Sequence, residues 1–152
     1  MTESTHPSRR QVLTLAMASL AVTAVGSARA DTAAMNEAIR AFTGGRSAIT
    51  GPISLDIPSL VENGNSVPVS VRVDSPMTER DHVKRIALFN EKNPQPQVAV
   101  FTLGPRCGRA AVATRMRMAD SQQIVAVAEL SDGRFIRTRA DVVVTLAACI
   151  ET

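Results

Sequence analysis

The sequence contains no tryptophan and no tyrosine, and only four phenylalanines among its 152 residues. Proteins that bind single-stranded nucleic acids stack bases on aromatic side chains, so nucleic-acid binding is not expected. The net charge supports this expectation, because basic and acidic residues are nearly equal in number. The chain has 17 Lys+Arg and 14 Asp+Glu. Residues 1–30 hold three of those arginines and one of those glutamates, which leaves 14 basic and 13 acidic residues, a net charge of +1.

Metal ligands and catalytic sets are also scarce. Beyond residue 30 the chain has one histidine, His82, which lies among charged neighbours. A zinc site needs three or four closely spaced ligands, so no metal site is expected. No Ser-x-Gly elbow and no Cys-His pair is visible, and a Ser or Cys nucleophile needs a nearby base. We therefore expect a domain that is not an enzyme.

Residues 1–30 have the three-part pattern of an export signal. Arg9 and Arg10 precede an apolar run at residues 12–22, which is too short to span a bilayer comfortably. Ala28-Arg29-Ala30 provides a small-x-small cleavage site. The pattern is typical of a twin-arginine signal. It predicts a signal peptide over residues 1–30, a periplasmic protein, and one mature domain over residues 31–152 without a membrane anchor. The alternative is an amphipathic N-terminal helix.

The mature chain begins with a helical pattern and then changes to a period of two. Apolar side chains at Met35, Ala38, Ile39 and Phe42 form one stripe, which predicts a short helix over residues 32–42. Short alternating runs follow at regular spacing, with turn chemistry between them. The predicted strands are 53–57, 67–73, 83–90, 98–103, 110–118, 124–130, 134–138 and 142–146.

This spacing of short strands predicts an antiparallel β-sandwich with a short N-terminal helix. Asp132-Gly133 between two apolar runs predicts a hairpin. Pro68 has no N–H to donate to a ladder, so the strand over 67–73 is predicted to lie at a sheet edge or to begin late.

Two cysteines remain in the mature chain. Cys149 is the fourth residue from the end and directly follows the last strand-like run, whereas Cys107 lies in a Gly- and Pro-containing loop. Chain ends are usually exposed, so Cys149 is expected to be more accessible than a core thiol. An oxidising compartment permits a disulfide between the two, but whether they lie close enough is not decided by sequence.

Arginines are concentrated in the C-terminal half of the chain. Arg115 and Arg117 alternate with Met116 and Met118, so the two arginines are predicted to share one face of a strand. One interpretation is a face that docks a partner or attracts small anions. The other is a solvated sheet face, which is the usual setting of charged strand residues.

Several segments resemble the thiosulfate-oxidation carrier family SoxY. Residues 57–69 read IPSLVENGNSVPV and resemble that family's P-x-I-A-E-N-G-x-x-V-P block. Further segments with matching order and spacing lie at 73–77, 93–96, 114–119 and 131–133. The resemblance covers most of residues 34–149, and the twin-arginine pattern agrees with it.

The resemblance implies an immunoglobulin-like sandwich that forms a heterodimer with a second β-sandwich subunit, SoxZ. It also implies that Cys149 carries sulfur intermediates covalently, with no other cofactor. In such a system a haem enzyme conjugates thiosulfate to the thiol, a manganese hydrolase releases sulfate, and a sulfane dehydrogenase oxidises the remaining sulfur. The carrier itself supplies only the thiol.

The chain departs from the family pattern around this cysteine. Family members carry Gly-Gly-Cys-Gly-Gly, whereas this chain ends Ala147-Ala148-Cys149-Ile150-Glu151-Thr152. Glycines make an arm flexible, and alanines with a β-branched isoleucine make it stiffer. The alternative is therefore a non-catalytic docking module of a periplasmic redox complex that has lost the carrier role.

Overall fold

The computed structural model describes the backbone of residues 27–148 and the side chains of residues 32–148. One helix, α1 (Ser27–Thr43), precedes nine strands. The strands are β1 (Ala48–Thr50), β2 (Ile53–Asp56), β3 (Leu60–Val61), β4 (Val67–Val73), β5 (Val83–Asn90), β6 (Gln97–Thr102), β7 (Ala110–Met116), β8 (Gln122–Leu130) and β9 (Phe135–Val144). A 3₁₀ turn, Pro105–Cys107, connects β6 to β7.

The strands form two sheets. The larger sheet has the order β1-β9-β8-β5-β6, with β3 also paired to β9, and the smaller has the order β2-β4-β7. Pairing is antiparallel except at β1 and β3, which both run parallel to β9. The described chain thus forms the all-β, immunoglobulin-like sandwich that the sequence predicts.

The core lies between the two sheets, and alternation along the strands creates it. On β4 the four valines face inward and are almost completely buried, while Pro68, Ser70 and Arg72 alternate with them. The larger sheet contributes Ile86, Leu88 and Ile124 to the same cluster. Burying one such side chain stabilises the fold by about 1.5–3 kcal/mol.

Helix α1 covers part of the outer face of the larger sheet. Its predicted stripe is confirmed, because Met35, Ile39 and Phe42 are all buried. The ring of Phe42 meets the rings of Phe89 and Phe135 edge to face, each at a centroid distance of 5.9 Å. A second apolar cluster therefore lies outside the sandwich and fixes α1 to β5, β8 and β9.

Helix α1 is longer than predicted, since it begins at Ser27 rather than at residue 32. It ends as predicted before Gly44 and Gly45, both of which have positive φ. Residues 1–26, which hold the paired arginines and the apolar run, lie outside the described residues. The signal peptide therefore stays a prediction. Within the described part of the chain, no helix is long and apolar enough to cross a membrane.

A charged group lies beside the α1 cluster. The guanidinium of Arg85 sits 4.6 Å from the Phe42 ring centroid and donates Nε–H to Glu129 at 2.5 Å. Burial of Glu129 alone would raise its pKa. The hydrogen bonds and charges of Arg85 and Lys84 outweigh that effect and hold the pKa of Glu129 below its usual value.

Two of the strand predictions are wrong. The runs predicted at 134–138 and 142–146 are one continuous strand, β9, because its polar middle pairs through the backbone with β8. The strand that contains Pro68 lies at the centre of its sheet and begins at Val67. Proline is tolerated there because β2 pairs only with residues 70–73, so around Pro68 the strand has β7 as its sole sheet neighbour among the described strands.

Two short strands have no counterpart among the predictions. β1 has three residues and β3 has two, and both exist through pairing with β9, which lies near the other end of the chain. Neither segment is long enough for an alternating pattern to be recognised locally. The hairpin between β8 and β9 is confirmed, with Gly133 in the left-handed region at φ 85°.

Candidate functional site

The chain that follows β9 is bonded to the sandwich as far as Ala148. Thr145 N–H donates to Val61 O at 2.9 Å, and Leu146 O accepts from Gly64 N–H at 2.8 Å. Ala148 N–H then donates to Met118 O at 3.0 Å, and Ala148 is buried, with 6% exposure. The chain is thus held by backbone hydrogen bonds up to the residue before Cys149, which itself lies outside the described residues.

Gly64 is the point where three segments meet. Besides its bond to Leu146, it accepts a hydrogen bond from Met118 N–H at 2.8 Å. A Cβ on Gly64 would clash with the Met118 carbonyl oxygen and lie 3.0 Å from Ala148 N and 3.2 Å from Val144 Cγ1. Only glycine allows these backbones to approach so closely. The motif Glu62-Asn63-Gly64-Asn65 therefore builds the anchor of the C-terminal segment.

This anchor includes part of the segment Ala147-Ala148-Cys149, where the chain departs from the family's Gly-Gly-Cys. Ala147 is exposed, but the Ala148 methyl group is buried in the anchor. The described part of the chain therefore ends at a residue that is held to the sandwich by the Ala148–Met118 hydrogen bond.

Arg115 and Arg117 are exposed, whereas Met116 and Met118 are buried, as the alternation predicts. Arg115 Nη1–H donates to Ser66 O at 3.3 Å and to Ser66 Oγ at 3.2 Å. Both arginines line a cleft of about 500 Å³ between the ends of β6 and β7. Since Arg117 directly precedes Met118, this cleft borders the C-terminal anchor.

Amide side chains supply several of the other lining residues and support the loop that carries Arg117. Asn93 Nδ2–H donates to Arg117 O at 2.8 Å, and Asn93 Oδ1 accepts from Ala119 N–H and Gln122 Nε2–H. Asn90 also lines the cleft, and its buried Oδ1 has no hydrogen-bond partner among the described residues. In the sequence, residues 93–96 read as a turn and as one of the segments that resemble the family, and neither reading indicates the hydrogen bond from Asn93 to Arg117.

Three exposed apolar side chains lie at the same end, and we call them the C-terminal apolar patch: Leu60, Val143 and Leu146. Leu60 and Val143 are direct partners across the β3–β9 ladder. Leu146 N–H donates to Glu62 O at 3.2 Å, which brings it beside the same pair of strands. Each of the three is more than half exposed.

Cys107 lies at the opposite end of the sandwich. It is an exposed free thiol in the turn before β7, and its Sγ accepts a hydrogen bond from Gly104 N–H at 3.4 Å. β7 then runs from Ala110 to Met116 towards the anchor. A strand of this length spans about 20 Å. Ala148 is bonded to Met118, just beyond the far end of β7, so about one strand length separates Cys107 from the anchor.

His82 is half-buried, with its Nδ1 3.1 Å from Thr78 O. Over residues 32–148, no three His, Cys, Asp or Glu side chains are grouped so that they could hold a metal ion.

The two sheets, with α1 on the outside of the larger one, define the class of the protein: a small, immunoglobulin-like β-sandwich. A family described as "Sulfur oxidation protein SoxY" matches residues 39–149 of the chain. The chain belongs to this family. The matched region ends on Cys149.

Solved structures agree. The sulfur carrier protein SoxY from Chlorobium limicola f thiosulfatophilum is 32% identical, with a TM-score of 0.62 over 75% of this chain and 98% of that one. A superoxide reductase (neelaredoxin) from Ignicoccus hospitalis is 17% identical, with a TM-score of 0.55 over 62% of this chain and 81% of that one. The second likeness shows the fold alone. No curated protein matches.

Proposed function

We propose that this protein is a sulfur-carrier subunit of a thiosulfate-oxidation system and that it holds sulfur intermediates covalently on Cys149. The observation that carries the proposal is the family match, which extends to Cys149 itself. The anchor at Gly64, Met118 and Ala148 supports it, because it brings the chain to the rim of the sandwich immediately before the thiol. The absence of a nucleophile–base pair from the sequence fits a carrier that supplies only a thiol.

Cys149 is expected to be loaded by an oxidative conjugation and unloaded by hydrolysis and further oxidation. The thiol loses its proton, its sulfur forms a bond to the outer sulfur of thiosulfate, and two electrons pass to the haem enzyme that performs the conjugation. A hydrolase then adds water across the terminal sulfur–sulfur bond. Sulfate and two protons leave, and a persulfide anion remains on Cys149 for oxidation by a sulfane dehydrogenase. The carrier stays bound to the substrate throughout.

The carrier is proposed to be periplasmic and to work as a heterodimer with a SoxZ-like subunit. The paired arginines before the apolar run support export. The C-terminal apolar patch supports pairing, since exposed apolar side chains grouped on one surface mark interaction sites. Burying these three side chains against a partner would remove their exposed apolar surface from water, which favours association.

The carrier role is tested by intact mass and peptide mapping of protein purified from its own periplasm without reductant, from cells that oxidise thiosulfate. We expect a sulfonated persulfide or a persulfide on the peptide that contains Cys149. Cys149→Ser should abolish the adduct and Cys107→Ser should keep it. Free thiol on Cys149 throughout, with the partner enzymes active, would refute the carrier role.

The pairing is tested with matched valine variants. Val143→Lys places a charge in the apolar patch, whereas Val100→Lys places one on the exposed edge strand β6. Co-purification with the SoxZ-like subunit should be lost in the first variant and kept in the second. If both variants retain the partner equally, the patch is not the interface.

A second candidate function is the docking module, and the exposed arginines at the cleft favour it. Under this alternative, Cys149→Ser leaves pathway activity intact, whereas Arg115→Glu or Arg117→Glu abolishes it. Arg72→Glu on β4 is the control, because Arg72 is an exposed strand arginine outside the cleft. Loss of activity in Cys149→Ser alone decides for the carrier.

A further inference from the structure

On one side of the sandwich, both sheets end in an edge strand. β6 is the last strand of the larger sheet and pairs only with β5, and β7 is the last strand of the smaller sheet and pairs only with β4. The loop that contains Cys107 connects the two. No strand of the described chain covers either edge. An uncovered edge strand is a template on which a further strand can pair.

The backbone of β6 directs hydrogen-bonding groups outward. Leu103 N–H donates to Lys84 O at 2.8 Å, so these two residues form a hydrogen-bonded pair of the antiparallel ladder with β5. Every second residue of such a ladder points its N–H and C=O away from the neighbouring strand. Val100 and Thr102 therefore present these groups to the outside. A register shift at the start of β6 limits the regular edge to residues 99–102.

Two pairs of arginines lie at the two ends of β6. Arg106 and Arg109 are in the loop beyond its C-terminal end, and Arg115 and Arg117 line the cleft at its N-terminal end. All four side chains are exposed. β6 has six residues, so about 20 Å separates the two pairs. We call β6 together with these four arginines the basic edge.

The basic edge contains no acidic residue. Residues 92–119 include no aspartate and no glutamate, and neither do β4 and β5, the strands next to the two edges. The acids that border this region, Glu91, Asp120 and Glu129, have partners outside the basic edge. Among the side chains of residues 32–148, none pairs as an ion with any of the four arginines. The positive charge of the basic edge is therefore not compensated within the described chain.

This charge argues against a second copy of the chain as the occupant. Antiparallel pairing of two β6 strands would bring the Arg106 end of one copy beside the Arg117 end of the other. Like charges brought together in this way repel each other, and neither end has an acid to offset them. The complementary occupant is an extended segment with carboxylates at its ends.

We propose that the basic edge binds an extended acidic segment of a partner protein. The segment adds a strand to β6 through the backbone groups of Val100 and Thr102. Its carboxylates pair with the arginines at the two ends, whose forked N–H groups match carboxylate geometry. Backbone pairing fixes the register, and the charges select an acidic partner. The proposal deepens the docking candidate, on which it rests for the roles of Arg115 and Arg117, and it does not depend on Cys149.

The test titrates the reduced full chain with a synthetic peptide, acetyl-Glu-Glu-Thr-Val-Thr-Val-Glu-Glu-amide, up to about 1 mM, while amide NMR spectra are recorded. An analogue with glutamine for every glutamate should bind at least about tenfold more weakly, because the exposed ion pairs are lost. The amides of Val100 and Thr102 should exchange with solvent at least about fivefold more slowly at saturating peptide, since they become hydrogen-bonded. The Phe101 amide, which faces β5 by the same alternation, is the internal control. Added salt should weaken binding.

Matched variants complete the test. Arg106→Glu and Arg117→Glu should each weaken binding of the acidic peptide at least about fivefold, because an attractive charge becomes repulsive. Arg137→Glu changes the net charge equally and should not alter binding, since Arg137 is an exposed residue of β9, two strands beyond β5. Unchanged thermal midpoints will show that all three variants are folded.

No binding of the acidic peptide, equal affinity for the two peptides, unchanged exchange at both Val100 and Thr102, or unaltered binding in both edge variants would overturn the proposal. The titration needs no partner enzyme. Its failure is therefore distinct from failure of the docking candidate, which is decided by pathway activity in Arg115→Glu and Arg117→Glu.

Discussion

Replacing Gly64 with alanine should release the C-terminal segment from the sandwich. The new Cβ would clash with the Met118 carbonyl oxygen and lie 3.0 Å from Ala148 N. Both are backbone atoms, so a rotamer change cannot relieve the contact. Three backbone hydrogen bonds depend on this point: Gly64–Leu146, Met118–Gly64 and Ala148–Met118. At about 1 kcal/mol each, their loss predicts a destabilisation of about 2–4 kcal/mol, a large fraction of the stability of a small domain.

The free energy of unfolding is measured by urea denaturation, and release of the segment by hydrogen exchange at the Ala148 amide. Gly104→Ala is the matched control, because a Cβ there meets no atom within 4 Å and Gly104 has an extended backbone. We expect the control to change stability by less than about 0.5 kcal/mol. If Gly64→Ala is as stable as the control and Ala148 keeps its protection, Gly64 does not anchor the C-terminal segment.

Three further predictions concern charge, the anchor and the two thiols. The lowered pKa of Glu129 means that its contribution to stability is present above its unfolded value, about 4.5, and is lost as the pH falls through the lower folded value. Glu129→Gln should therefore cost about 1 kcal/mol at neutral pH, and urea midpoints should show a smaller gap at a pH below that folded value. Ala148→Gly removes a buried methyl group. Ala148→Gly should therefore weaken the anchoring of the C-terminal segment by about 1 kcal/mol, which corresponds to a factor of about five. The rate of thiosulfate loading by the haem enzyme should rise by that factor. The exposed Ala147→Gly should change this rate little, and equal rates in the two variants would contradict the anchor argument. Oxidised, folded monomer should contain no Cys107–Cys149 disulfide, because β7, about 20 Å long, separates Cys107 from the anchor at Met118 and Ala148. A crosslinked peptide on non-reducing mapping would contradict this prediction.

Local patterns were sufficient where side chains on one strand or helix decide which face is buried. The alternating valines of β4 give its bounds, Val67–Val73, and the i, i+3, i+4, i+7 stripe gives the buried face of α1. Local patterns do not predict the pairing of segments that are far apart in the chain. β1 and β3 form only by pairing with β9. β9 continues as a strand through its polar middle because its backbone ladder with β8 does not depend on side chains.

The candidate site also has features that follow from residue type and order and others that only folding produces. Sequence predicts the exposure of Arg115 and Arg117 and the family, because these rest on residue type and order, whereas the carrier role of Cys149 stays a prediction. It misses the polar support of Asn93 and Gln122, since only folding brings these two amides together.

By itself the sequence determined the sandwich, its core-facing residues, the family and a thiol near the chain end, all of which follow from local periodicity and residue order. Tertiary structure alone decided that Gly64 joins Met118 and Ala148 into one anchor and that Cys107 lies at the other end of the sandwich. The physical reason is that each of these depends on the approach of segments far apart in the chain, and the register of a strand ladder sets that approach.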